Sequence, residues 1–121
     1  MITGKRAARV GEEILKEVAS LLAEKMEDPR LKGVTMTGIR LSNNLRQAKV
    51  FFSVIGDREQ IARAQAGLDS ARHYIRKEIG QIMSLRYLPE LTFIHDNSLE
   101  QGSHMDALFD KIRKAEERND Q

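Results

Sequence analysis

Four basic residues share one face of a predicted helix and could hold the phosphates of a nucleic acid. Arg72 and Arg76 are four positions apart, and His73 and Lys77 form a parallel row beside them. Residues four apart on an α-helix lie on the same face. Arginine binds phosphate with a fork of N–H donors, lysine supplies a point charge, and both release counterions from a polyanion. The alternative is an ordinary solvated helix face, since Glu78 dilutes the positive charge there.

Two further basic clusters could contact the same polyanion. The first lies at the start of the chain and consists of Lys5, Arg6 and Arg9. Cations there oppose the dipole of the first predicted helix, so helix stability does not explain them. The second belongs to a predicted β-hairpin and consists of Arg40, Arg46 and Lys49. Each could instead serve only solubility. Because aromatic residues make up only 5% of the chain, recognition of RNA phosphates and shape is favoured over base stacking.

No motif of a catalytic centre is present in the sequence. The chain has no cysteine, no Walker A loop, no GxGxxG and no HExxH. His95, Asp96 and Ser98 are residue types of a hydrolase triad, but neighbours in a strand point to opposite faces. His104 and Asp106 are two apart on a predicted helix, so they diverge and make a poor metal pair. We therefore predict a non-catalytic protein with no cofactor, no metal and no small-molecule substrate.

Composition and charge are typical of a single water-soluble domain that binds a polyanion. The 121 residues are 40% hydrophobic and 31% charged, without an apolar run of membrane-spanning length or a secretory signal. The net charge is +2, but basic residues outnumber acidic ones over 1–90 and the reverse holds over 91–121. We expect a cytoplasmic protein that does not contact a membrane.

The first half of the chain predicts a helix followed by a hairpin. Hydrophobic periodicity indicates an amphipathic helix from about residue 5 to residue 27, ended by Asp28 and Pro29. Alternating apolar residues then predict two antiparallel strands with a turn at 42–44. The alternation slips at Gly38, which indicates a β-bulge.

The second half predicts helix, strand and helix. Helical periodicity returns at Asp57 and continues to Pro89; a helix of that length is unusual in a small domain, so we expect a kink at Gly67 or within 70–73. A strand follows over 91–95. A short helix around Met105, Leu108, Phe109 and Ile112 precedes a polar tail over 113–121. The predicted order is α-β-β-α-α-β with a short C-terminal helix, in one domain over 1–112.

That order is typical of an α+β, two-layer, KH-like domain of type II, a fold often used to bind RNA. Such domains usually clamp nucleic acid with a GxxG loop between the paired helices. This chain contains no GxxG, which disfavours a standard single-strand KH reader.

The run from Leu85 to Gly102 closely resembles the C-terminal part of the ribosome-binding factor A family. The resemblance continues upstream through Asp28-Pro29-Arg30 and covers about residues 4–112. Residues in these motifs that we expect to serve mainly the architecture, at helix ends and turns, are Asp28, Pro29, Arg30, Arg86, Pro89, Asp96 and Ser98.

The resemblance implies a KH-like fold in which a helix kink of Ala-x-Gly type replaces GxxG. Here 71–73 is Ala-Arg-His, so His73 stands at the glycine position. The resemblance also implies a protein that binds the free 30S ribosomal subunit and its 16S rRNA, and acts in late maturation and precursor processing. We expect this protein to be a monomer. The alternative is a protein-interaction module that dimerises through the first helix without binding RNA. A small hydrolase is a distant third.

Overall fold

Residues 4–97 are described by the computed structural model, in which two helices cover one face of a three-stranded sheet. The predicted C-terminal helix and tail, with Ser98, His104 and Asp106, lie outside the described residues. The elements in chain order are helix α1 (Lys5–Glu24), a 3₁₀ turn (Pro29–Leu31), strands β1 (Val34–Leu41) and β2 (Gln47–Val54), helix α2 (Arg58–Met83) and strand β3 (Glu90–His95).

Helix α1 buries one apolar face against β1. The buried positions follow helical spacing and include Ile14, Val18 and Leu21. The helix ends at Glu24, three residues before the predicted end. Asp28 adopts an extended backbone (φ −66°, ψ 120°) because the ring of the following Pro29 disfavours helical geometry in the residue before it.

The hairpin of β1 and β2 forms as the alternation predicts. Leu41 is paired with Ala48 and Met36 with Phe52, but Gly38 is paired with Phe51, so Thr37 has no partner in the register. The predicted bulge at Gly38 is therefore confirmed. It shifts the alternation by one residue and keeps Leu41 on the helix-covered face.

Helix α2 is one uninterrupted helix where the sequence predicted two. It begins at a capping box, in which the Asp57 carboxylate accepts from the Gln60 N–H at 3.0 Å and the Gln60 side chain accepts from the Asp57 N–H. The two separate helices of the predicted order are therefore wrong. Gly67 lies within this helix and packs closely against Leu31, and His73 lacks the backbone freedom of glycine.

Strand β2 is central in the sheet. It pairs antiparallel with β1 and parallel with β3, with α2 as the connection between β2 and β3. Val50 and Phe52 of β2 are fully buried under the two helices, whereas the neighbouring Lys49 is exposed on the opposite face. The parallel pairing brings the start of β3 beside the start of β2, and so sets the position of the functional site.

Candidate nucleic-acid interface

The N-terminus of α1 is attached to the turn of the hairpin. The Gly4 N–H donates to Asn43 Oδ1 at 2.8 Å. The turn is itself ordered by Asn44, whose Oδ1 accepts from Ser42 Oγ at 2.6 Å and from the Arg46 N–H at 3.1 Å. This contact places the basic first turns of α1 at the same end of the molecule as the hairpin turn.

The three basic residues of the hairpin lie exposed at that end. Arg40 and Lys49 face each other in the register of β1 and β2, on the sheet face that the helices leave open. Two like charges in directly opposed positions of a sheet are destabilising, so this pair does not serve the stability of the hairpin. Arg46 lies in the connection just before β2 and is also exposed.

The connection between α2 and β3 (residues 84–89) lies at the same end of the molecule as the hairpin turn. The Glu90 N–H donates to the Arg46 carbonyl at 2.7 Å, which extends the pairing of β2 and β3 to the turn. Tyr87 in this connection keeps 63% of its surface exposed. The guanidinium carbon of Arg86 lies 5.4 Å from the centre of the Tyr87 ring, and that of Arg46 lies 6.0 Å from it.

We call this region the hairpin end. Its cations come from three segments that are far apart in the sequence: the first turns of α1, the hairpin and the connection before β3. All of them are exposed: Lys5, Arg6, Arg9, Arg40, Arg46, Lys49 and Arg86. The N-terminus of α1 adds the positive end of its dipole, and its first turn carries no acidic residue. Exposed cations grouped at one end of a fold are the arrangement that favours association with a polyanion.

The basic row on α2 is only partly free to contact RNA, because the Arg76 side chain binds other groups of the protein. Its Nε donates to the Pro89 carbonyl at 3.0 Å, and its Nη2 donates to the Leu88 carbonyl at 2.9 Å and pairs with the Glu90 carboxylate at 3.1 Å. Arg76 therefore fixes the connection between α2 and β3. The other three residues of the row remain candidates for RNA contact: Arg72, half-buried, and His73 and Lys77, both exposed.

Asp28 and Arg30 close the turn that follows α1. The Asp28 carboxylate accepts from the Arg30 N–H at 2.9 Å and from the Arg30 guanidinium at 2.7 to 3.1 Å. The side-chain hydrogen bonds from Arg30, followed by its backbone N–H, lower the pKa of Asp28 below its ordinary value. The same pairing raises the pKa of Arg30. The turn, in which Pro29 opens the 3₁₀ segment, lies against Gly67 of α2.

The other motif residues within the described range also lie at ends and turns. Pro89 is buried just before β3. Asp96 follows β3, and its carboxylate accepts from Thr37 Oγ1 of the bulge at 2.7 Å. Arg86 departs from the architectural expectation, because it is exposed beside Tyr87 rather than tied to a carbonyl or an acid.

The geometry gives no support to the hydrolase alternative within residues 4–97. The His95 ring packs edge-on against the Phe52 ring, with centroids 5.5 Å apart, and so serves the core. An open groove of roughly 600 Å³ between α1, the 3₁₀ turn and β1 is lined largely by apolar side chains such as Leu22, Met26 and Met36. Over the same residues no group of three histidine or acidic side chains is placed to bind a metal. No helix in the described range is long and apolar enough to cross a membrane.

Comparison with known proteins decides the family. The model of the family described as "Ribosome-binding factor A" matches residues 6–109. The chain belongs to the ribosome-binding factor A family. Ribosome-binding factor A of Geobacter sp. (strain M21) is 44% identical over 108 residues, which are 89% of this chain and 91% of that protein. Ribosome-binding factor A of Moorella thermoacetica is 44% identical over 118 residues, 96% of this chain and 97% of that protein.

Solved structures of ribosome-binding factor A share the fold. The solution structure of a putative ribosome binding factor A from Thermotoga maritima has a TM-score of 0.67 at 30% identity, over 78% of this chain and 90% of that one. The crystal structure of ribosome-binding factor A from Thermus thermophilus has a TM-score of 0.66 at 24% identity, over 74% and 93%. Coordinates of the Thermus thermophilus factor fitted into a cryo-EM map of a 30S complex have a TM-score of 0.63 at 23% identity, over 75% and 96%.

Sequence reasoning did not place Arg86 and Tyr87 beside the hairpin. Both were hidden in a run that looked purely architectural, and only the parallel pairing of β2 with β3 brings them to Arg46. One signal was available: an arginine followed by an aromatic residue in a short connection, on a chain with only two tyrosines and no tryptophan.

Proposed function

We propose that this protein is a non-catalytic assembly factor that binds the free 30S ribosomal subunit through its 16S rRNA. On this proposal it promotes late maturation of the subunit and processing of the 16S rRNA precursor. The observation that carries the proposal is the hairpin end, where seven exposed cations converge from three distant segments. Family membership and the fitted 30S complex of the Thermus thermophilus relative support it.

The mechanism we infer is binding energy used to hold one rRNA conformation. Each RNA phosphate neutralised by a lysine or an arginine releases condensed counterions. The affinity therefore comes largely from contacts with the RNA backbone, and the shape of the folded RNA decides which phosphates the protein can reach. The row of Arg72, His73 and Lys77 on α2 would extend the contact along the helix. Arg76 contributes indirectly, because it fixes the connection that carries Arg86.

We further infer that the fold is a KH-like variant of type II in which the two expected helices are joined as α2. The strands support this view, since β1 and β2 form a hairpin and β3 adds parallel to β2. The domain would extend to residue 112, with a polar tail after it and no cofactor. A factor that binds free subunits acts in the cytoplasm, and we propose that location.

Dimerisation through α1 is the alternative, and the packing disfavours it. The apolar stripe of α1 is already used, because Ile14, Val18 and Leu21 are buried against the sheet within one chain. We propose a monomer. A concentration-dependent dimer in light scattering would revive the alternative.

Co-sedimentation of the full chain with separated ribosomal particles tests the proposed function. We expect binding to free 30S subunits and little binding to 50S subunits or 70S ribosomes. Binding should weaken steeply as salt rises, because it depends on phosphate contacts. Equal binding to all three particles, or binding to none, would refute the proposal.

A further inference from the structure

Tyr87 is placed to do more than solubilise a loop. It is a large aromatic side chain with 63% of its surface exposed, and arginines lie beside its ring at 5.4 and 6.0 Å. Tyr74, the other exposed aromatic side chain in the described structure, has no cation over its ring. The two guanidinium groups lie over the Tyr87 ring, in cation–π contact with it. An unpaired nucleotide matches this arrangement, because its base can stack on the ring in place of a guanidinium while the displaced arginine pairs with a phosphate.

The connection that carries Tyr87 is held rigidly. Ser84 ends α2 in the left-handed conformation (φ 50°). Arg76 binds the carbonyls of Leu88 and Pro89, and the Leu88 side chain occupies the space that Gly80 leaves free. Because these contacts order the connection before any ligand arrives, a base that stacks on Tyr87 does not have to order it.

The surroundings supply the phosphate contacts that a stacked nucleotide needs. The hydrogen bond between the Arg46 carbonyl and the Glu90 N–H at 2.7 Å holds the backbone of Arg46 beside the start of β3. The Glu90 carboxylate, the acidic group nearest in sequence, is paired with Arg76 at 3.1 Å. In the described structure Arg46 and Arg86 have no ion pair with an acidic side chain, and both contact the Tyr87 ring.

We propose that Tyr87 is a base-stacking residue of the hairpin end, which takes an unpaired nucleotide of RNA with Arg46 and Arg86 on the flanking phosphates. This inference rests on the proposed function and narrows it: the hairpin end prefers a loop, a bulge or a single strand, because bases inside a duplex are stacked on each other and closed to Tyr87. It departs from the expectation drawn from composition, which favours recognition of RNA phosphates and shape over base stacking.

Tyrosine fluorescence gives a specific readout, because the chain has two tyrosines and no tryptophan. In the full-length Tyr74→Phe variant, Tyr87 is the remaining tyrosine. The probes are a single-stranded oligouridylate and an abasic oligomer of the same length, which carries the phosphates without the bases. We expect the oligouridylate to quench Tyr87 and to bind more tightly than the abasic oligomer.

Substitution of Tyr87 provides the second arm. On the otherwise unchanged chain, Tyr87→Leu should weaken oligouridylate binding about fivefold to a hundredfold, the range for loss of one stacked base. Tyr87→Phe should retain the affinity, and the salt dependence should be the same in both variants. Circular dichroism melting of Tyr87→Leu checks that the fold is intact.

The outcomes separate this inference from the proposed function. Equal binding of both oligomers without quenching would overturn the role of Tyr87 and leave the phosphate contacts standing. No binding of oligouridylate at low salt would also overturn it, while co-sedimentation with 30S subunits decides the proposed function independently. Failure of the unchanged chain to co-sediment with 30S subunits would overturn both the proposed function and the role of Tyr87.

Discussion

Arg76 shows that a basic residue on an exposed helix can be structural. Its sequence context suggests phosphate binding, because Arg72, His73 and Lys77 lie around it. Its guanidinium instead donates to two carbonyls of the connection before β3 and pairs with Glu90. A charge reversal at this position would damage the fold as well as any RNA contact, so it cannot test RNA binding.

Replacing Arg76 with glutamine should destabilise the protein by roughly 2 kcal/mol. Hydrogen bonds from a charged donor are worth about 1.5–3 kcal/mol each, and the partial exposure of Arg76 reduces their sum. Urea unfolding of Arg76→Gln measures the loss. Lys77→Gln is the matched control and should stay within about 0.5 kcal/mol of the parent chain, because Lys77 is exposed. Equal stability of the two variants would contradict the structural role.

The Asp28–Arg30 pair predicts an acid-dependent contribution to stability. The pKa of Asp28 is lowered in the folded chain, so folding favours its ionised form. This contribution is fully present above the ordinary pKa of 3.8 and is lost as pH falls through the lower folded value. The parent chain should therefore exceed Asp28→Asn in stability at neutral pH.

Urea unfolding of both proteins at about pH 7 and about pH 3 checks the prediction, and the difference between them should shrink at the lower pH. Asparagine can still cap the 3₁₀ turn, so the substitution isolates the charge. Glu27→Gln controls for the loss of one acidic charge in this segment. A difference that stays constant with pH would contradict the prediction.

At the scale of elements, local patterns predicted most of the fold, and long-range contacts accounted for what they missed. The start of α1, the hairpin, the bulge at Gly38 and the start of α2 after Asp57 each depend on a few neighbouring residues, and each could be predicted. The periodicity from Asp57 to Pro89 is continuous, as α2 is, but its length, unusual for a small domain, led to the prediction of two helices. The hairpin end was predicted in pieces, since only the sheet register joins them.

The packing of α2 against the 3₁₀ turn predicts the effect of filling Gly67. A Cβ there would lie 2.9 Å from Leu31 Cδ2 and 3.1 Å from Arg30 Cβ. Overpacking of this kind costs about 1–3 kcal/mol, and the better helix propensity of alanine returns up to about 1 kcal/mol. We expect Gly67→Ala to lose about 1 kcal/mol in urea unfolding.

Ser70→Ala, at an exposed position on the same helix, is the control for Gly67→Ala. It should be neutral or slightly stabilising, because alanine has the higher helix propensity and no packing partner is disturbed. A Gly67→Ala variant more stable than the parent chain would show that the turn yields to the added methyl group.

At the scale of the whole molecule, the central claim is that charge at one end directs binding. The sheet has two ends, and both carry cations. The hairpin end contains Arg40, Arg46 and Lys49, whereas Lys32, Arg58 and Arg63 lie exposed at the opposite end, near the start of β1 and of α2. Two variants can therefore remove the same charge from opposite ends of one fold.

The salt dependence of the dissociation constant for free 30S subunits tests this claim most directly. The hairpin-end variant is Arg40→Gln, Arg46→Gln and Lys49→Gln, and the matched control is Lys32→Gln, Arg58→Gln and Arg63→Gln. Each phosphate contact contributes roughly 0.7–0.9 to the slope of log affinity against log salt. We expect the hairpin-end variant to bind more weakly, with a slope smaller by about 2 to 3, and the control to match the parent chain. An equal loss of affinity for 30S subunits in both variants, or a larger loss in the control, would contradict the claim that charge at the hairpin end directs binding.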